Sequence, residues 1–575
     1  MGNQLVGKAQ KIYPVEHYIQ DLTDFKIKFQ SSPGSTRFFK VAKCDTEAGP
    51  VVVKVFVIQK RDARDKDNID NIDYASHKKK ILELKDILAP TFNCLPFCQA
   101  EVTENAAFIV RQFGKYSLFD RIITRPFLTN LEKKWLAFQL LLAVEQCHNL
   151  GVCHGDIKLE NILVSSWLWL TLTDFASFKP TFLPVDNPAD YAYFFDTSRR
   201  RVCYIAPERF VQKASNLQAD DGVDVNNSGQ LQKSMDVFSV GCCIGEIFTD
   251  GDPVFDFSNL LSYKANDNSY DPSTVLMKID DVDIRNLVTH MINRDPDARL
   301  TVSEYLEEQR GKVFPENFYT FLQSYIKMFS REPLMSSDQK IQRIYKDLPY
   351  FQTLLDSSDP SQVIDTDCLL VVTNVVISCV RSLVLTRSHL LCLEILQWLS
   401  SKMSSEVILE RILPQLMHFL GGPAPCVTAR AVSVLVTSLG HVSHVPRSDA
   451  NTFPELILPV LSPLSSHPSV SVRCALAKHL ATIAQLSTTW LDMIISTCNT
   501  CHAATDYHSE LATLHKFVVT LVTTLLEDSV NSVKQVLVTE SSAKLAVWFG
   551  RQKATDVLLS HMITFLNDKE DSQLR

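Results

Sequence analysis

Asp156, Lys158 and Asn161 fall within one stretch, HGDIKLENILV from His154 to Val164, and Asp174 follows in LTDFASF. Moving a phosphoryl group takes a carboxylate facing the attacking hydroxyl, a cation beside the transferring phosphate, and oxygen ligands for divalent metal. Asp156 has the type and place of the first and Lys158 of the second, while Asn161 and Asp174 are suited to hold metal. Upstream, Lys54 in VVVKVF lies in a β-branched run and reads as a strand lysine reaching phosphates. Glu83, in the following KKKILELK, is its expected ion-pair partner. Gly34, Ser35 and Thr36 open GSTRFFKV, where a glycine-rich turn would cradle a nucleotide's phosphates.

Further fragments are structural. Ala206, Pro207 and Glu208 form an APE triplet, Asp236 in DVFSVG is placed to brace the catalytic loop, and Arg299 in DPDARL is the expected partner of Glu208. In this order and spacing the fragments point to an α+β, bilobal, protein-kinase-like domain, and they support the fold more firmly than the activity. The departures cluster where chemistry would be done. Thr36 and Phe39 replace the second and third glycines of the phosphate turn, where side chains crowd the approach of backbone to phosphate. Ala176 replaces the glycine of D-F-G, and Gly155 replaces the arginine of H-R-D. Without that arginine, ordinary switching by activation-loop phosphorylation is expected to be absent. Arg199, Arg200 and Arg201 read as a solvated basic run in preference to a phosphate pocket.

The elements that must position these residues can be read from periodicity. RFFKVAK and PVVVKVFVIQ are expected strands about a turn from Cys44 to Pro50, and WLAFQLLLAVEQCHNLG a long buried helix ending at Gly151. Residues 59–73 and 211–233 are polar and read as exposed insertions. From about residue 315 the pattern becomes almost wholly helical. There Leu413-Pro414 and Leu458-Pro459 lie 45 residues apart, and Arg430 and Arg473 lie 43 apart, the period of HEAT or armadillo repeats. The expected plan is an N-terminal segment (1–23), a protein-kinase-like domain (24–314), a connecting helical segment (315–365) and an all-α HEAT-repeat solenoid (366–575). The last repeat stops at Arg575 without a second helix, so the chain is expected to be a fragment or a shortened form.

Composition narrows the function classes. The 575 residues are 46% hydrophobic and 21% charged, as in an ordered chain with more than one core. A net charge of −8 gives no global reason to bind nucleic acid. Fifteen cysteines lie scattered, many in apolar runs, which reads as free thiols in a reducing compartment. Cys498, Cys501 and His502 spell C-x-x-C-H, with His508 nearby, but no second ligand pair supports haem or zinc. The longest apolar stretch, residues 368–385, is broken by Asn374 and Arg381 and reads as a buried helix. MGNQLVGK offers Gly2 for N-myristoylation, although Val6 replaces the usual Ser or Thr.

MGNQL, HGDIKLEN, TDFASFKP, FFDTSRRRVCYIAPERF and the helical repeats after them closely resemble one family, the kinase-like vacuolar-sorting regulatory subunits of class III phosphatidylinositol 3-kinase complexes. The resemblance implies a myristoylated kinase-like domain, a HEAT solenoid and, in the family, a WD40 propeller that this sequence does not contain. It also implies a cytoplasmic scaffold, peripheral on late endosome and autophagosome membranes, that holds the lipid-kinase catalytic subunit and a Beclin-type coiled-coil subunit. Its cofactor would be ATP or GTP with Mg2+ or Mn2+, because the hinge near Gln112 and Phe113 reads no base identity by itself. Three readings stand: a nucleotide-binding regulator, a working Ser/Thr kinase acting on itself or its partner, and an inert helical scaffold.

Overall fold

The computed structural model divides into two compact units, residues 1–331 and 332–575. It describes residues 13–22, 26–58, 74–175, 178–196, 200–212, 229–267, 269–331, 333–357, 364–446, 449, 451–496 and 503–565. Gly2, Ala176, Arg199, the C-x-x-C-H motif, the first polar insertion and most of the second lie outside the described residues.

The first unit opens with α1 (Val15–Ile19) and strands β1 (Lys28–Ser35), β2 (Lys40–Thr46) and β3 (Gly49–Val57). After α2 (Tyr74–Leu88) and β4 (Cys94–Leu95), strands β5 (Gln99–Val102) and β6 (Ala106–Gln112) complete an antiparallel sheet of order β1-β2-β3-β6-β5. The expected hairpin is present but tighter. Cys44 already pairs with Val51, and the strands run to Thr46 and Gly49, whose φ of +119° suits glycine. Alternate residues Ala42 and Cys44, Val53 and Val55, and Phe108 and Val110 share one buried face, which α1 covers with Val15, Tyr18 and Ile19. The opposite face carries Ile109 and Ala100 against Ile81 and Phe97, and it looks into the cleft.

The larger lobe is built on α3 (Leu118–Ile122) and α4 (Asn130–Asn149), the hairpin of β7 (Ile162–Val164) and β8 (Leu170–Thr173), then α5 (Pro188–Phe194) and α6 (Lys233–Phe248). Thr129 and Glu132 form a capping box that starts α4, and Gly151 at φ +75° lets the chain turn away at its end. Almost every side chain from Trp135 to Val144 is buried, as an all-round apolar helix requires. Trp135 and Phe138 receive Phe318 at 5.2 and 5.5 Å between ring centroids. Residues Phe318–Ser330, expected within a connecting segment, are therefore helical turns packed on α4 as part of the first unit.

Among its described residues the second unit is all helical. The apolar stretch after Cys368 is the buried helix Leu369–Cys379. The two Leu-Pro pairs occupy matching places, each immediately after a π-helical turn, at Ile408–Ile412 and Thr452–Ile457. Proline lacks the N–H that an α-helical bond would use there, so the turn widens before it. The repeat-related arginines tie neighbouring helices: Arg430 donates to Gln397 at 3.0 Å, and Arg473 makes a two-point pair with Asp528 at 2.6 and 3.1 Å.

Candidate active site

The loop between α4 and β7 carries Asp156, and one carboxylate of α6 fixes that loop. Asp236 accepts the backbone N–H groups of His154 at 2.7 Å and Gly155 at 2.9 Å, and contacts His148 Nε2 at 3.0 Å. Burial alone would raise the pKa of Asp236, but the His148 contact and the loop amides hold it below the ordinary carboxylate value. His154, fully buried, donates through Nε2 to the Thr173 carbonyl and accepts the Asp156 N–H at Nδ1, so one neutral imidazole joins the loop to β8. Gly155 has φ +78°, and a Cβ there would lie 2.6 Å from Leu231 Cδ1. Its carbonyl accepts from Arg209, which also donates to the carbonyls of Pro180 and Thr181. A buried arginine bound to neutral carbonyls thus ties catalytic loop to activation segment where H-R-D proteins have an arginine for phosphate.

The structure brings Asp156, Lys158, Asn161, Lys54 and Asp174 to one cavity, each carboxylate already engaged. Asp156 Oδ2 accepts from Lys179 Nζ at 2.6 Å and Asn161 Nδ2 at 2.9 Å, with Lys158 Nζ 3.3 Å away. Asp174 accepts from Lys54 Nζ at 2.8 Å on one oxygen and from Arg111 Nε at 2.9 Å on the other. Burial would raise the pKa of both carboxyls, yet Lys158 and Lys179 hold Asp156 low and Arg111 and Lys54 hold Asp174 well below the carboxylate range. Burial also pushes Lys179 down to about 8, with Asp156 opposing.

Glu83 is a correction. It pairs with Lys79, one turn back, at 3.7 Å on the exposed side of α2. The side of α2 toward the cleft presents Tyr74, His77 and Ile81 instead. Lys54 consequently has Asp174, and no helix glutamate, as its carboxylate partner among the described residues.

The phosphate turn is also self-contained. Thr36 Oγ1 accepts the Phe39 N–H at 2.7 Å and donates to the Phe39 carbonyl at 3.1 Å, while the Thr36 N–H donates to that carbonyl at 2.8 Å. Amides that a glycine-rich loop would point at phosphate are used inside the turn. Gly34, at φ +150°, keeps its backbone freedom with open space around it, and Ser35 pairs with Lys40 in the sheet. Phe38 stacks on Phe178 at 6.0 Å and Phe39 meets the same ring at 5.5 Å, edge on, so the turn is pinned to the start of the activation segment. The cavity these rings border is partly open and about 50 Å³, room for a few waters.

Of the expected solvated run, Arg201 is exposed, Arg199 lies outside the described residues, and Arg200 departs from it. Arg200 pairs with the buried Glu246 and with Glu160 at 3.2 Å, and its guanidinium lies 3.8 Å over the Phe119 ring. Tyr204 adds a hydroxyl to Glu246 at 2.6 Å. Glu208 and Arg299 form the expected two-point pair at 2.7 and 3.0 Å. Sequence reasoning missed Arg111, Lys179 and Glu246; the only local signal was a charged residue inside the apolar strand AAFIVRQ and one just after LTDFASF.

A protein kinase domain model matches residues 31–309, and a model described as PIK3R4-like, middle domain, matches residues 372–575. The chain is 31% identical to the serine/threonine-protein kinase VPS15 of Arabidopsis thaliana, over all of this chain and 45% of that protein. It is 33% identical to a putative serine/threonine-protein kinase VPS15 of Komagataella pastoris, over 99% of this chain and 43% of that protein. Serine/threonine-protein kinase VPS15 of Saccharomyces cerevisiae is 31% identical, over 98% and 43%. The chain spans less than half the length of these curated relatives. A protein kinase domain implies ATP and a divalent metal in general. The arrangement here does not fit the metal, because both oxygens of Asp174 already receive cationic donors.

Proposed function

We propose, from the match of a protein kinase domain model to residues 31–309 and of a PIK3R4-like middle-domain model to residues 372–575, that the chain is a regulatory and scaffolding subunit of a class III phosphatidylinositol 3-kinase complex. Its kinase-like domain holds a nucleotide, ATP or GTP, with weak or no phosphotransfer. The observation that carries this reading is Lys179 on Asp156 at 2.6 Å: a base whose lone pairs face an ammonium is poorly placed to take a proton from a hydroxyl. Mg2+ or Mn2+ would have to displace Lys54 or Arg111 to reach Asp174, with Asn161 as the other ligand. In this reading the helical unit, taken as a HEAT solenoid, holds the lipid-kinase catalytic subunit and a Beclin-type subunit. Myristate on Gly2 adds membrane affinity at late endosomes and autophagosomes, in sorting and autophagy, and no nucleic acid is involved.

A second reading, an active serine/threonine kinase, is favoured by the gathering of Asp156, Lys158, Asn161 and Asp174 in one cleft. Phosphate transfer from γ-labelled ATP, with Mg2+ or Mn2+, by the purified complex separates the two when wild type is compared with Asp156→Ala and bound nucleotide is quantified. Nucleotide held by both proteins with transfer in neither is the expected result. Transfer that Asp156→Ala abolishes would establish the enzyme instead.

A further inference from the structure

Charge in the cleft is unbalanced. Among the described residues, Lys54, Arg111, Lys158 and Lys179 surround two carboxylates, Asp156 and Asp174, which leaves an excess of two positive charges there. The excess arises because Glu83 is turned away from Lys54 and because β6 and the activation segment each contribute a further cation. Arg111 is 8% exposed and grips Asp174 Oδ1 through Nε and Oδ2 through Nη2, at 2.9 and 3.4 Å. Lys179, with a side chain 7% exposed, does the same to Asp156 through one short bond. The two oxygens of Asp174 are those at which a divalent ion would have to bind.

We propose that this site binds the polyphosphate of a nucleoside triphosphate without a divalent cation, with Arg111 standing where metal would and Lys179 adding a further cation beside it. The inference rests on the nucleotide-holding reading above. A free triphosphate brings about four negative charges, which the two excess cations offset in part, and with both Asp174 oxygens already capped the protein offers a divalent ion no open carboxylate there. Arginine suits the place because its planar fork serves a carboxylate on one edge while keeping further N–H donors for phosphate oxygens. Entry requires the Phe38 and Phe39 contacts with Phe178 to open, since the cavity holds only a few waters. Lys158, Lys179 and Asp174 belong to the other lobe and remain in place when the turn lifts.

The test is equilibrium dialysis of the purified chain against labelled ATP and labelled GTP, in EDTA and in excess Mg2+. At least one nucleotide should bind in EDTA with a dissociation constant within about threefold of that in Mg2+. Arg111→Gln should weaken binding in EDTA about tenfold, the scale of one lost charge-assisted bond, and should restore a dependence on Mg2+ by freeing Asp174. Arg111→Lys, which keeps the charge, should retain most of the metal-free binding. If Arg111→Gln fails to fold, Lys179→Gln carries the same expectation for binding in EDTA. Wild-type binding only in Mg2+, or metal-free binding unchanged in Arg111→Gln and Lys179→Gln, overturns the inference and leaves nucleotide holding intact. Binding of neither nucleotide under either condition overturns the nucleotide-holding reading and this one with it.

Discussion

At the scale of single residues, the buried carboxyls of Asp156, Asp174 and Asp236 are all held below their ordinary values in the folded state. The unfolded chain therefore binds more protons than the native one as pH falls below about 4, and the stability these groups contribute, fully present above that pH, is lost in acid. The melting midpoint of the first unit is expected to decline gently below about pH 6.5, because the buried His154 imidazole stays neutral while the unfolded one gains a proton, and to fall steeply below pH 4. Lys179 has the same sign in a higher pH window. Its folded pKa, near 8, lies below the unfolded one, so its contribution to stability rises as pH climbs past 8. The difference in melting midpoint between wild type and Lys179→Met, followed from pH 7 to 10, should grow with pH. A flat difference would contradict the burial of that ammonium.

At the scale of elements, the activation segment is held by arginines rather than by a phosphorylated residue. Glu246 on α6 is fully buried, and Arg200 and Tyr204 are its partners. Burial raises the pKa of Glu246 even with Arg200 beside it. Arg200→Met would strand that carboxylate and is expected to cost about 3–5 kcal/mol of stability, measured by denaturant unfolding. Adding Glu246→Gln should recover much of the loss, because the stranded charge is then gone. α2 shows why sequence order alone misplaced Glu83. Ile81 and Leu88 are the buried residues of that helix, and Glu83, two positions past Ile81, points about 200° around the helix from it.

At the scale of the molecule, the second unit depends on ties between helices that are far apart in the chain. Arg473 and Asp528, 55 residues apart, are both at most 9% exposed and join Val470–Ser496 to the chain after Ala503–Leu526. Arg473→Met leaves Asp528 buried without its cation and is expected to cost about 3 kcal/mol. Amide hydrogen exchange in these helices should then accelerate roughly 100-fold, and unchanged rates would show the pair to be dispensable.

The sequence by itself determined what chemistry dictates locally. Asp156, Lys158, Asn161 and Asp174 were legible because phosphoryl transfer demands those side chains at short, fixed spacings on loops. The pair Glu208–Arg299 and the brace at Asp236 were legible because each sits in a short motif of its own. The two Leu-Pro turns and the 45-residue spacing revealed repetition for the same reason, since proline acts on its own helix turn. Only the tertiary structure decided which cation meets which carboxylate. Arg111 reaches Asp174 across 63 residues and Lys179 reaches Asp156 across 23, by way of an inner strand and a folded-back segment. Nothing in local periodicity carries such distances. The state of the cleft, two carboxylates capped by four cations beneath an aromatic turn, is a property of strands and loops brought together by burial.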